Sequence, residues 1–412
     1  MALRTLAAFA VLSFSTGLAC QAQSLDGLWM GTVKLGDVEI PFHFEMESGG
    51  ANLQATFFNG EERFASTKGA RVGDSIELEW QYFAAKLTAS FKDGKLDGVY
   101  ERARNQPMPF HAERQPAMLF AMAPASPKID GVWEIHGIKS EKGEKTWQLI
   151  VKQDGALMYA SILRIDGDTG VLSGTFTNGE FVLSHFSGMR PARLEITKQS
   201  DGTLGLLLDG KESMTAMRPA EARAKGLPEP DDASKHTGVK DAKAPFHFNF
   251  PDLNGKMVSD SDARFRGKVV LVNIMGSWCP NCHDEAPFLE DMYRKYRAKG
   301  LEIVALSFEE ADQLKNPTRL RAFLNRYGTD YTVLLGGTSD EAASKLPQTE
   351  NWDAWPTTFF VGRDGRVRAV HTGFPSKASG DLYTQARREF EEKVEQLLSE
   401  NALSSGNGAR LQ

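Results

Sequence analysis

Lys268-Val-Val-Leu-Val-Asn-Ile-Met-Gly-Ser-Trp278 runs directly into Cys279-Pro280-Asn281-Cys282, with Asp284 and Glu285 close behind. The nearly continuous apolar run from Val269 to Met275 reads as a strand covered on both faces. After the second cysteine, Phe288, Leu289, Met292, Tyr293 and Tyr296 recur at helical spacing, and Gly300 stops the pattern. A cysteine where a buried strand hands over to a helix sits among unpaired backbone N–H groups at the positive end of the helix dipole. Such a setting lowers a thiol pKa from about 8.5 toward neutrality or below. Cys279 is therefore the expected attacking thiol. Cys282, one turn inside and expected to be the more buried, is the resolving thiol. Pro280 suits the first helical position, where a missing N–H costs nothing.

Outward from this pair, strands alternate with helices. Leu301 to Phe308 reads as a strand, Thr318 to Tyr327 as a helix, Tyr331 to Leu335 as a strand and Glu341 to Lys345 as a short helix. Thr357 to Val361 and Val367 to Gly373 flank Gly362-Arg-Asp-Gly365 as a hairpin, and Leu382 to Leu398 carries one apolar helical stripe. Phe246 to Phe250 offers a preceding hairpin. The order β-α-β-α-β-β-α predicts an α/β layer with a mixed sheet over residues 245–405.

Upstream the pattern is different. Residues 26–115 alternate apolar and polar positions in short runs such as Leu28 to Val33, Ser75 to Trp80 and Lys86 to Phe91, with Asn59-Gly60 and Asp93-Gly94 as hairpin turns. Asp26-Gly-Leu-Trp29 then returns as Asp130-Gly-Val-Trp133, an offset of 104 residues (133 − 29). This predicts a duplicated, mostly antiparallel all-β region, with units at 25–117 and 128–218, as barrel or sandwich. Trp29 and Trp133 are expected core plugs; a ligand cavity lined by Trp80, Phe83 and their neighbours is the competing reading. Residues 219–244, rich in Pro and charge and without an apolar period, read as an extended linker.

Residues 1–24 combine Arg4, an apolar stretch and small residues around Cys20, the pattern of a secretory signal too short to span a bilayer. Cleavage after Ala22 would discard Cys20, whereas lipidation at Cys20 would anchor the chain to a membrane. With Cys20 set aside, Cys279 and Cys282 are the two cysteines left of three, which excludes a disulfide scaffold and points to redox use in an exported protein. A net charge of −6 with interspersed signs leaves no basic surface for nucleic acid, and 41% hydrophobic with 25% charged residues fits soluble globular material.

Trp278 before the first cysteine, Pro287 five after the second, and Trp355-Pro356-Thr357 before the next strand complete a pattern. Residues 245 to about 400 resemble a thioredoxin-fold domain, and within that superfamily the exported TlpA/ResA-like thiol-disulfide oxidoreductases. The resemblance implies a cis peptide at Pro356 facing the thiols, with the Trp355 backbone free to pair with an extended substrate. It implies a role for Glu285 in tuning the thiols and moving protons, and Asn273 where cytosolic thioredoxins carry a buried Asp. Trp278, Pro280, Asn281, Trp355, Pro356 and Thr357 are then the supporting or substrate-binding residues around Cys279, Cys282 and Glu285. The implied partners are protein thiols and disulfides together with a membrane electron donor. Electrons travel through the disulfide itself, so no cofactor and no metal is called for. Reduction is the favoured direction, with cytochrome c maturation or thiol repair as settings in the periplasm or cell envelope.

Other chemistries fit less well. Cys279-x-x-Cys282-His283 spells the attachment motif of c-type haem, but Trp278 and Pro356 have no job there, and His283 is then an exposed helix residue. Zinc lacks a second ligand pair, His43, His111, His136 and His185 being scattered. A peroxiredoxin needs a threonine where Gly276 stands. Glu309 and Glu310 read as a solvated loop, with a place at the border of the active face as the alternative. The competing function class is an envelope binding or sensing protein, in which the β region recognises a ligand or envelope partner and the thioredoxin-like part is a docked accessory.

Overall fold

A computed structural model describes residues 24–49, 52–60, 62–103, 106–115, 126–154 and 157–400. Cys20 and the expected signal lie outside the described residues, apart from Ser24. Among the described residues no helix is long and apolar enough to cross a membrane.

The N-terminal region is antiparallel β throughout. Nine strands between Gly27 and Arg114 form one sheet whose edge strands, Glu62–Ala65 and Lys68–Val72, are joined by Ser66 and Thr67, so the sheet curls back on itself. Strict alternation along the strands sends Trp29, Phe44, Phe57, Trp80 and Tyr100 into one aromatic core. Phe57 stacks on Trp80 at 4.4 Å between ring centroids. Phe83 is buried in the same core, so Trp80 and Phe83 are core residues, while their neighbours Gln81, Tyr82 and Ala84 line an open cavity of about 900 Å³. Nine further strands lie between Gly131 and Met217. There Trp147–Asp154 pairs with both Gly131–His136 and Leu157–Arg164, closing the sheet into a barrel.

The repeat extends to hydrogen bonds. Trp29 Nε1 donates to Leu25 O at 2.9 Å, and Trp133 Nε1 to Ile129 O at 2.8 Å. Arg114 covers the first indole and donates to Asp26 O; Arg218, again 104 residues on (218 − 114), covers the second and donates to Asp130 O. The two units are packed together, because Phe186 of the second enters the aromatic core of the first, 4.4 Å from Phe42.

Residues 219–244 are not a free extended linker. Pro219–Ala224 and Ala233–His236 are short helices, and Gly238–Val239 pairs with Thr349–Glu350. Polar anchors dock this strap: Arg223 pairs with Glu134, and Thr146 Oγ1 donates to Pro228 O. Proline here starts a helix, at a position where its missing N–H is not needed.

The C-terminal domain has a five-stranded mixed sheet. Its elements are β1 (Val269–Met275), α1 (Pro280–Tyr296), β2 (Leu301–Glu309), α2 (Thr318–Tyr327), β3 (Thr332–Thr338), β4 (Thr357–Val361), β5 (Val367–Thr372) and α3 (Asp381–Ser399). The strand order is β3-β2-β1-β4-β5, parallel over the first three and antiparallel at β4 and β5. Every residue of β1 is buried, as its unbroken apolar run requires. A small hairpin, Asn249–Pro251 with Met257–Ser259, precedes it. The central strand therefore ends at the cysteines.

Candidate active site

Cys279 caps α1. Its Sγ accepts from Cys282 N at 3.4 Å, and Pro280 takes the first helical position. Both thiols are free. Burial, reinforced by the neighbouring Cys279 sulfur, pushes the Cys282 thiol well up. The expected difference in burial is absent, since Cys279 is 3% and Cys282 2% exposed. The physical reason is the β region, which covers the helix start.

Asn281 donates from Nδ2 to Asp166 O at 2.6 Å and accepts from Arg190, both residues of the second β unit. Gly167, beside Asp166, bridges to Phe374. With φ at +127°, a Cβ on Gly167 would lie 2.5 Å from Phe374 O and 2.6 Å from Asn281 Cγ, so this approach requires glycine. Asp284 pairs with Arg190 at 2.6 Å, and burial raises its pKa to about 7 against the pull of that guanidinium.

On the other flank, Trp278 donates from Nε1 to Phe308 O at 2.9 Å and meets Trp355 edge to face at 5.3 Å. Gly276 is required beneath this indole, because a Cβ there would collide with Trp278 Nε1. The Trp355-Pro356 peptide is cis, and Trp355 O lies 3.5 Å from Cys279 Sγ. Thr357 faces away from the thiols and donates from Oγ1 to Ala354 O at 2.8 Å. Its neighbour Thr358 points at the site.

Glu285 is buried beneath the pair. Its carboxylate accepts from Asn273 Nδ2 at 2.7 Å and Thr358 Oγ1 at 3.0 Å, while desolvation raises its pKa to about 8. Asn273 and Thr358 are register partners on β1 and β4, so one rung of the sheet holds this acid.

Two expectations fail here. His283 is buried, not exposed: Nε2 donates to Ser277 O and Nδ1 accepts from Tyr327 OH, each at 2.9 Å, and burial lowers its pKa. Phe83 of the first β unit packs on its ring at 5.0 Å, covering the face that the isolated helix would expose. Glu309 is likewise buried. It accepts from Ser277 N and Oγ and from Ser307 Oγ, and pairs with Arg319 at 2.6 Å, with Glu310 on the same guanidinium. This cluster braces the residues just before Cys279. Among the described residues no group of three or more His, Cys, Asp or Glu side chains is placed to hold a metal ion.

Sequence reasoning missed Thr358, Arg102, Arg190, Arg319 and Tyr327. Thr358 has a faint signal as the second threonine of a buried pair. The arginines have none, lying far from the cysteines in the chain.

Comparison with known proteins agrees on the C-terminal domain. The AhpC/TSA family model matches residues 241–370. Thiol-disulfide oxidoreductase ResA of Bacillus thuringiensis (strain Al Hakam) is 33% identical over 121 residues, 29% of this chain and 63% of that protein. ResA of Bacillus cereus (strain ATCC 10987 / NRS 248) is 31% identical over 150 residues, 36% of this chain and 80% of that protein. A solved thiol:disulfide interchange protein of the thioredoxin family from Chlorobium tepidum TLS is 24% identical with a TM-score of 0.30, covering 38% of this chain and 94% of that one. The chain thus spans slightly under two thirds of some ResA relatives and four fifths of another. Through its C-terminal domain, the chain belongs to the ResA family of thiol-disulfide oxidoreductases.

Proposed function

We propose that this chain is an exported thiol-disulfide oxidoreductase that reduces protein disulfides in the cell envelope, with cytochrome c maturation as one setting. One observation carries the reading: Cys279 caps α1 within 3.5 Å of Trp355 O in the Trp355-Pro356 turn, above a buried Glu285. In the proposed cycle the Cys279 thiolate attacks one sulfur of a substrate disulfide. A mixed disulfide forms and the other substrate sulfur leaves as a thiolate. Cys282 then attacks Cys279, forming the Cys279–Cys282 disulfide and releasing the second substrate thiol. Two electrons pass to the substrate. Glu285 relays the proton that Cys282 loses, Trp278 and Trp355 wall the site, and Pro356 orients the Trp355 backbone toward an extended substrate segment. A dithiol donor at the membrane would restore the reduced pair, and lipidation at Cys20 would keep the chain beside it. The interior of the first β unit offers the binding-protein alternative no ligand site, since aromatic side chains fill it.

Insulin reduction by the reduced full chain tests this. Activity in the wild type with loss of at least a hundredfold in Cys279→Ser is expected. An inactive wild-type dithiol would contradict the proposal.

A further inference from the structure

Each β unit delivers one arginine to the segment that carries the thiols. Arg102, at the end of strand Lys95–Arg102, donates from Nη2 to Trp278 O at 2.8 Å, the carbonyl just before Cys279. Arg190, between strands Glu180–His185 and Ala192–Lys198, donates from Nη2 to Asn281 Oδ1 and Asp284 Oδ2. Its backbone φ is +50°, a conformation that costs a residue with a Cβ and persists where surrounding contacts hold it.

The two cations are compensated differently. Arg190 has the Asp284 carboxylate. Arg102 has a buried Nε with no hydrogen-bond partner among the described residues, and the negative groups acting on it are Tyr100 and Cys279. Tyr100 is held neutral by its burial. Cys279 is thus the remaining group acting on this guanidinium that can supply a negative charge, and a buried cation without an anion is expensive.

The other ionisable groups around the pair are engaged or neutral. Arg319 is bound by Glu309 and Glu310. His283 and His185 are kept uncharged by burial. Asp168 accepts from Ser376 N and Ser379 Oγ, Glu285 is held by Asn273 and Thr358, and burial raises Glu62 and Cys282 toward their neutral forms.

We propose that Arg102 and Arg190 are positioning residues of the active site, one from each β unit, which hold the Cys279–Cys282 segment and stabilise the Cys279 thiolate. The β region is then a working part of the redox centre. This inference rests on the thiol-exchange reading above.

The test is the pH profile of Cys279 alkylation by iodoacetamide, followed on the Cys279 peptide by mass spectrometry in the reduced full chain. Arg102→Met should move the midpoint up by about one pH unit, and Arg190→Met by less, because Asp284 already offsets part of its charge. Arg102→Lys should stay near the wild type. At a pH above both midpoints, a tenfold loss of thiolate stabilisation makes the potential of Arg102→Met about 30 mV more negative. Superimposable profiles for wild type, Arg102→Met and Arg190→Met would overturn the proposal, as would Arg102→Lys shifting as far as Arg102→Met. If Arg102→Met does not fold, Arg190→Met and the wild-type midpoint decide: a shifted variant supports the proposal, and a wild-type midpoint at or above the ordinary cysteine value of about 8.5 overturns it. Insulin assays on the same preparations separate the two claims. An inactive wild type removes the exchange reading, whereas an active wild type with unshifted variants removes only the arginines.

Discussion

Glu285 is an acid with no cation among the main influences on it: desolvation raises its pKa from 4.5 to about 8, and the bonds from Asn273 and Thr358 only moderate that rise. The folded state therefore holds a proton that the unfolded chain gives up above pH ~4.5. Stability from this group is complete below that pH and is lost as pH rises toward 8, at up to about 1.4 kcal/mol per unit. Glu285→Gln keeps one amide oxygen where the two carboxyl oxygens accept from Asn273 and Thr358, and it removes this dependence. Urea unfolding should find the variant gaining on the wild type by roughly 2–3 kcal/mol between pH 5 and 7.5, while turnover falls about tenfold or more for want of the proton relay. An equal stability difference at both pH values would show that Glu285 is ionised in the folded protein. The position of this acid three residues after Cys282 was legible in the chain. The Thr358 contact was not, because Thr357 and Thr358 are both buried and only strand register decides which one meets Asn273.

At the scale of elements, the handover from β1 to α1 was the clearest part of the sequence: seven buried residues in a row admit only a central strand, and a proline after the first cysteine fits a helix start. What the local pattern hid is the brace behind it. Glu309 and Glu310 look solvated because isolated acids at a strand end usually are, yet Arg319 on α2 brings a buried countercharge, and Ser277 completes the set. Arg319→Ala would remove the guanidinium that Glu309 and Glu310 share beside that serine. Chemical denaturation at pH 7 should register a loss of about 3–5 kcal/mol. A loss below 1 kcal/mol at pH 7 would mean that solvent reaches the cluster. The strap at 219–244 misled for a related reason. Its composition is that of unpaired chain, yet polar anchors, the buried Ala222 and the Gly238–Val239 pairing dock it.

For the whole molecule, the duplicated β architecture was legible from alternation and from the 104-residue echo of Trp29 in Trp133. Its placement was not. Contacts such as Arg102 to Trp278, 176 residues apart, leave no periodic trace. The same packing explains why Cys279 is as buried as Cys282 and why His283 is not on the surface. In the proposed reaction a protein disulfide meets Cys279 where the two β units and the redox domain converge. Trapping tests this account most directly. Full-length Cys282→Ser, reduced and then mixed with a disulfide-bonded protein, is predicted to accumulate a mixed disulfide through Cys279, which dithiothreitol releases. Absence of a Cys279 adduct, with the variant folded and the wild type competent, would contradict Cys279 as the attacking thiol.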